Sequence, residues 1–490
     1  MSGNAKRVTE PNSPIRRFRF FRFGLRSALI VLLVAGFFFG WLGREYSAVK
    51  GERQVVASLQ DYLPDDTDQI HVERVFSFPG QTFLDDDSVA TWIRRIPVDG
   101  IFTRVIGLRL EVDPNDPPID LRQLASLREL RLEGVPTQEL LAKYPQAFWS
   151  FRDSRKSSID EVDSRPASRL SNIQLPINVR ELRLHDFDIK GIERLEKLEN
   201  LILDRARIEQ QPITDLEFLS NLTRLKTLQL SSCNNLTSLS GLENVSQLQK
   251  LEVYQSEFES LDQLSRLDEL RELDLSACKF PDFAIFEKLF KLEKLTYSHD
   301  SERYKPQPES LSNLHSLEEL TIWSDKGLGD LEFIGNLPSL KFCSIYFCES
   351  GLGTLDGLAG AACLEELHLY DCSGLENLDA VESIKSLRVL TLESCNLSEV
   401  DSLKSCTQLT ELTLADFTNL TSLNAIKELK NLEVIEINGC TALKDIEPLF
   451  HLSNLKSVYL AGSLKIPQWQ IDELKKSVPN VETAQRGWGF

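Results

Sequence analysis

The stretch FCSIYFC, residues 342–348, sets two cysteines around an apolar and aromatic run. Such a pair can clip a metal, close a disulfide or carry a redox reaction, and spacing decides among them. The chain has nine cysteines, at 233, 278, 343, 348, 363, 372, 395, 406 and 440, and none forms a C-x-x-C pair. Six histidines, at 71, 185, 299, 315, 368 and 451, are scattered, and no Cys/His set has zinc spacing. H-E-x-x-H, Walker, G-x-S-x-G and EF-hand motifs are all absent. Acidic residues abound, but as a solvated face rather than an acid/base dyad. These residue types predict no catalytic set, no metal and no cofactor.

What positions the cysteines is a repeat. From about residue 106 the pattern L-x-x-L-x-L recurs, as in LKTLQLSSC (225–233), LRELDLSAC (270–278), LKFCSIYFC (340–348), LEELHLYDC (364–372) and LRVLTLESC (387–395). Its inner apolar residue falls at 228, 251, 273, 295, 320, 343, 367, 390, 412, 435 and 458, in steps of 22 to 25 residues. Side chains alternate within L-x-L, so both apolar residues face one way and the x residues the other. One such strand cannot hide its apolar face; stacked copies bury it in a continuous core. A period of 20–29 with this leucine spacing marks leucine-rich repeats. The 22–23 period resembles bacterial internalin-like repeats over about residues 106–465. With the basic start and apolar segment described below, the chain resembles single-pass, membrane-anchored leucine-rich-repeat proteins of bacteria.

The resemblance implies a fold class of α/β: a right-handed parallel leucine-rich-repeat solenoid, a horseshoe or arc. Short 3₁₀ or helical segments would form its convex side, and one N-terminal transmembrane helix would precede it. In such repeats, the position five residues after the inner apolar residue is the buried Asn/Cys site. Cys233, Cys278, Cys348, Cys372, Cys395 and Cys440 stand there. Core cysteines are the favoured reading. Equivalent Cβ atoms on stacked repeats lie about 5 Å apart, beyond the usual disulfide range; a disulfide or a metal is the alternative.

The outward x positions carry more information. The residue after the second apolar residue reads, from 185 onward, His185, Asp204, Ser231, Tyr254, Ser276, Ser298, Trp323, Tyr346, Tyr370, Glu393, Ala415, Asn438 and Ala461. Trp323, Tyr346 and Tyr370 should therefore lie side by side on adjacent strands of the concave face. Phe342 and His368 are expected beside them, with Phe347 at the edge and Tyr254 further along the column. Glu319, Glu366, Asp371 and Glu393 form an acidic rim. Tyr and Trp are enriched at binding hot spots, which favours a ligand-binding strip; aromatic cross-strand stacking alone is the alternative.

The chain's net charge of −19 argues against nucleic acid as the main partner. Residues 1–26 run against that sign, with seven Lys and Arg against Glu10 alone. They lead into SALIVLLVAGFFFGWLG, residues 27–43, free of charge between Arg26 and Arg44. As a helix this spans about 26 Å, at the short end for a bilayer. An uncleaved signal-anchor is the leading reading; a cleaved signal peptide and a buried core helix are the others. The basic side stays in the cytoplasm, which places the C-terminal body outside.

The expected organisation is a basic tail (1–26), the anchor (27–43), a juxtamembrane helix with a lead-in segment (44–104), the repeat array (105–465) and a C-terminal cap (466–490). The Ser-rich, charged segment 150–172 reads as a mobile insertion in the array. The expected function is non-catalytic: a binding module outside the cytoplasmic membrane, recognising a protein or glycan through its concave face, with cationic partners favoured. A structural envelope scaffold is the alternative, as is a cytoplasmic interaction regulator if the topology is inverted. The oligomeric state is left open.

Overall fold

The computed structural model describes residues 168–483 except 176–178, 282, 299–307, 324–327, 329–330, 349–351 and 463–464. It also describes the backbone of the strands Ile70–Phe78, Gln81–Phe83, Thr103–Val112, Ile119–Asp120 and Glu129–Gly134. The expected basic tail, anchor and juxtamembrane helix lie outside the described residues, as does 150–167 of the expected insertion. Among the described residues no helix is long and apolar enough to cross a membrane. The chain divides into two units, Met1–Ala57 with Val75–Arg104, and Ser58–Arg74 with Val105–Phe490. In the first, Phe76 to Phe78 pairs antiparallel with Phe83 to Gln81. Pro79 and Gly80, a turn-forming pair, stand between them in the sequence.

In the larger unit the repeat strands form one parallel ladder, which includes the pairing of Gly107–Val112 with Glu129–Gly134. Every L-x-L segment quoted above joins it without a register slip: Leu228 lies opposite Leu251, Leu251 opposite Leu273, and so on to Ile435 opposite Val458. A slip of one residue would turn each strand's apolar pair to solvent, so core burial holds the register. Leu228, Leu251, Leu320, Cys343, Leu367, Leu390 and Ile435 are fully buried. The return segments are 3₁₀ turns such as Asp379–Ser383, which buries Ala380 and Val381, and Asp401–Ser405, which buries Leu403. Runs this short suit the poorer hydrogen-bond geometry of the 3₁₀ form.

Most of the described ladder strands are followed closely by a residue with positive φ. Asp186, Arg205, Ser232, Gln255, Ala277, Phe347, Asp371, Ser394 and Asp416 share this left-handed conformation, and Gly439 and Gly462 continue the column. There the N–H still reaches the next strand: Phe347 N donates to the Tyr370 carbonyl at 2.9 Å, and Asp371 N to that of Glu393 at 2.9 Å. The following residue then turns inward, which is how the cysteines reach the core. At 439 the glycine has a second reason, since a Cβ there would sit 2.0 Å from Asp416 Oδ1.

All nine cysteines are free thiols, with only Cys363 exposed. Five of the Sγ atoms, those of Cys278, Cys372, Cys395, Cys406 and Cys440, reach back to a carbonyl of the preceding repeat. Cys278 donates to the Val253 carbonyl at 3.2 Å, Cys395 to Leu369 at 3.8 Å and Cys440 to Leu414 at 3.5 Å. A thiol is small enough to pack as a hydrophobe there and still donate weakly.

The last residues of the expected insertion and part of the expected C-terminal cap take regular structure. Residues 168–172, the last of the Ser-rich segment, form the strand Ser168–Arg169 and a 3₁₀ turn that buries Leu170. At the C-terminus the helix Gln468–Ser477 closes the array. Its Gln470, 3% exposed, accepts from Ile446 N at 2.9 Å and donates to Asp445 at 2.8 Å. That bond satisfies a backbone donor that the next repeat would otherwise cover. The strand Asn480–Glu482 then adds a last rung beside Ser457–Ala461.

Candidate binding face

The outward residues of Glu319–Trp323, Phe342–Tyr346 and Glu366–Tyr370 meet in register: Trp323 opposite Tyr346, and Tyr346 opposite Tyr370. Their rings lie parallel. Trp323 and Tyr346 stack with centroids 3.9 Å apart at 7°, and Tyr346 and Tyr370 at 4.5 Å and 3°. His368 lies parallel to Tyr370 at 6.3 Å, and Phe342 packs at a tilt on His368 at 5.1 Å. Phe347 closes the edge, 6.2 Å from Trp323 and 6.4 Å from Tyr346. Six of the seven sequence-predicted aromatic positions thus form one connected patch.

Tyr254 stands apart. The strands of Ser276 and Ser298 separate it from Trp323, and its hydroxyl bonds Asp274 Oδ2 at 3.3 Å. Ser344 also differs from expectation. Its side chain is on the outward side, yet the residue is 1% exposed. It lies opposite His368 in register, between the outward Phe342 and Tyr346 of its own strand, and these large neighbours close over it. Ser344 Oγ and His368 Nδ1 are both buried without a hydrogen-bond partner among the described residues.

Phe347 carries a feature that sequence reasoning missed. It holds φ 57°, where its counterparts are mostly Asp, Ser, Ala or Gly, and it is 44% exposed. A left-handed conformation costs an ordinary residue about 1–2 kcal/mol. An aromatic side chain kept exposed at a strained position is the kind of outlier that marks a contact surface. No single-sequence signal gives φ; the only hint was an aromatic where other repeats carry small or polar residues.

The four rim carboxylates sit in different settings. Glu319 pairs with Lys294 at 2.7 Å, and Glu366 lies 3.6 Å from His368. Burial holds His368 below the ordinary imidazole pKa, with Glu366 pulling the other way. Glu393 is raised, first by burial and then by Asp416, Asp371 and Glu436. Burial also pushes Tyr370 up to about 12, helped by Tyr346 and Glu393. The face is therefore charge-paired on the Trp323 side and crowded with like carboxylates beyond Tyr370. Among the described residues no group of three or more His, Cys, Asp or Glu side chains could hold a metal ion.

A parallel ladder at one strand per 22–25 residues from Leu228 to Val458, with 3₁₀ returns and a buried cysteine position, defines a leucine-rich-repeat protein. The family of BspA-type leucine-rich repeat regions matches in six copies, over residues 166–281, 202–326 and 346–471. The chain belongs to this family. A search of curated proteins finds no match. Among solved structures it is similar to an internalin of Listeria monocytogenes, at 20% identity over 62% of this chain and 85% of that one, with a TM-score of 0.49. It is also similar to a leucine-rich-repeat protein of Leptospira interrogans, at 18% identity over 76% and 95% of the two chains, TM-score 0.48. The functional domain of InlJ from Listeria monocytogenes, described as including a cysteine ladder, matches at 15% identity over 72% and 74%, TM-score 0.40.

Proposed function

We propose that this protein is a non-catalytic binding module whose outward sheet face recognises a polypeptide partner. Leucine-rich-repeat domains are protein-binding scaffolds, and the observation that carries the reading here is the stacked strip of Trp323, Tyr346 and Tyr370 with the strained, exposed Phe347 at its edge. The stacking also bears on the kind of partner. A sugar ring packs against an open aromatic face, but both faces of Tyr346 are covered by its neighbours. At its centre the strip offers ring edges and the hydroxyls of Tyr346 and Tyr370, with an apolar margin at Phe347, which suits a polypeptide. The apolar segment 27–43 anchors the module, with the array on the outer side of the cytoplasmic membrane.

The test joins Trp323→Ala, Tyr346→Ala and Tyr370→Ala in one variant. Partners recovered by crosslinking from this face in intact cells should be lost, while the melting transition persists. If partners are retained and stability falls, the strip only braces the sheet. That second reading, a scaffold without a discrete ligand, is favoured by the mutual stacking itself. An inverted topology, with a cytoplasmic interaction regulator, is favoured by nine free thiols, which suit a reducing compartment. Protease protection of the C-terminal array in intact cells separates the two topologies.

A further inference from the structure

On the Trp323 side of the strip the face carries a cavity of about 200 Å³. It is lined by Lys250, Glu252, Glu272, Asp274, Lys294, Thr296, Glu319 and Thr321, with the backbone rungs of Leu273 and Leu295 as its floor. That is room for about six waters, too little for a cofactor but enough for one long side chain. Glu319 and Thr321 belong to the strand that carries Trp323, so cavity and strip share that strand on the outward face.

The charges in it do not balance. Lys250 is bound to both Glu252 and Glu272, at 2.8 and 3.0 Å, and Lys294 to Glu319 at 2.7 Å. Asp274 is left with neutral partners: Ser276 N at 2.9 Å, Ser276 Oγ at 2.5 Å and Tyr254 Oη at 3.3 Å. Burial, with Glu252 adding to it, raises the Asp274 pKa despite the Ser276 bonds. Glu252 lies opposite Asp274 in register, so two carboxylate-bearing residues stand one strand spacing apart. A carboxylate held half-buried beside another lacks a cation.

We propose that this cavity is the seat for one basic side chain, arginine or lysine, of the polypeptide that crosses the aromatic strip. The head group lies between Asp274 and Glu252, and its methylene stem runs over Thr296 and Thr321 towards Trp323. A guanidinium fork suits two carboxylates on adjacent strands, and an ammonium serves as a point charge. From the Trp323 strand to the Asp274 strand is two strand spacings, about 10 Å, or three residues of extended chain. A single partner segment therefore engages both. Tyr254, set apart from the strip, gains a role as the wall that holds Asp274 in place.

This inference rests on the polypeptide-binding reading, and one experiment separates their failures. The purified full chain is panned against a random dodecapeptide library displayed on phage, beside two variants. One carries the three strip alanines; the other joins Asp274→Asn and Glu252→Gln, which keep the side-chain shapes. Wild type should select peptides in which Arg or Lys stands a few residues from an apolar side chain. The best of these should bind the charge variant at least about tenfold more weakly, the effect of losing hydrogen bonds to a charged group. Thermal melts should show both variants folded, and Asp274→Asn alone serves if the pair does not fold. Strip-dependent peptides without a basic residue, or affinity unchanged in the charge variant, overturn the seat and leave the binding face standing. No strip-dependent peptides, or strip-dependent binding on a glycan array instead, overturns both.

Discussion

Phe347→Gly separates a contact residue from a structural one. Phe347 occupies the left-handed column at φ 57°, where Gly439 and Gly462 serve in later repeats. Glycine relieves about 1–2 kcal/mol of backbone strain. It costs about 0.5–1 kcal/mol in chain entropy. The lost ring is 44% exposed. Removing its buried part costs about 1 kcal/mol, against about 1.5–3 kcal/mol for a fully buried apolar side chain. Relief and loss cancel to within about 1 kcal/mol, and the hydrogen bond from residue 347 N to the Tyr370 carbonyl is kept. Phe280→Ala is the contrast: that ring is fully buried among Phe283 and Phe286, and its loss costs about 3–5 kcal/mol. Urea midpoints of the full chain, read by circular dichroism, make the comparison. A loss above about 2 kcal/mol for Phe347→Gly would refute the reasoning and make Phe347 a brace for the Trp323–Tyr346 stack. If stability holds, partner capture should still fall.

Other expectations follow from the same geometry. Native protein should offer a thiol reagent only Cys363 promptly, because burial pushes Cys343, Cys233 and Cys278 up to about 12; unfolded protein should titrate nine thiols, and fewer than seven overturns the free-cysteine assignment. Glu393 has a folded pKa above its unfolded value, so its charged form weakens the native state and stability is gained as pH falls through the folded pKa. Glu393→Gln should therefore melt higher than wild type at neutral pH, with the difference vanishing below about pH 4; an equal or lower neutral-pH melt refutes the like-charge crowding. A Cβ on Gly357 would lie 1.9 Å from the Leu331 backbone, so Gly357→Ala should destabilise by about 1–3 kcal/mol in the same urea series. Gly353→Ala meets nothing within 4 Å and should be neutral or stabilising by up to about 1 kcal/mol.

The fold was legible because leucine-rich repeats state two periods at once. Period two within L-x-L assigns inward and outward sides, and the 22–25-residue step assigns which outward residues are neighbours. Together they place Trp323, Tyr346 and Tyr370 side by side without coordinates, and they place the cysteines five residues on. What they leave out is everything set by backbone sign and side-chain direction. The left-handed turn at Phe347 depends on how one strand hands its N–H to the next. The burial of Ser344 depends on how far Phe342, Tyr346 and His368 close over it. The Asp274 cavity depends on which carboxylate each lysine chooses: Lys250 could pair along its own strand or across to the next, and it does both. The antiparallel pair near Phe76 was illegible for another reason, since it lies outside the repeat and offers no second copy to compare.

The two readings of the strip, brace or binding surface, rest on the same stack, and the energetics let them coexist. Ring pairs contribute about 0.5–1.5 kcal/mol beyond their buried area. Two such pairs hold Trp323, Tyr346 and Tyr370 in one orientation before any partner arrives. Immobilising a flexible side chain on binding costs about 0.5–1.5 kcal/mol, and a stacked ring has already lost that freedom on folding. Bracing therefore makes the face a better binder. It does not account for the Phe347 side chain, 44% exposed at a turn position where most other repeats carry a small or polar residue. The charges extend the argument, because a brace is indifferent to them and a partner is not. Ion pairs flank the strip at Glu319, whereas Glu393 beyond Tyr370 is crowded by Asp416, Asp371 and Glu436. A polypeptide lying across the strip would meet the Asp274 seat on one side and this carboxylate cluster on the other. Association should then slow as salt is added, because the carboxylates attract a basic segment from outside the contact. An on-rate that stays flat between low and physiological salt would leave the apolar strip as the whole of the recognition.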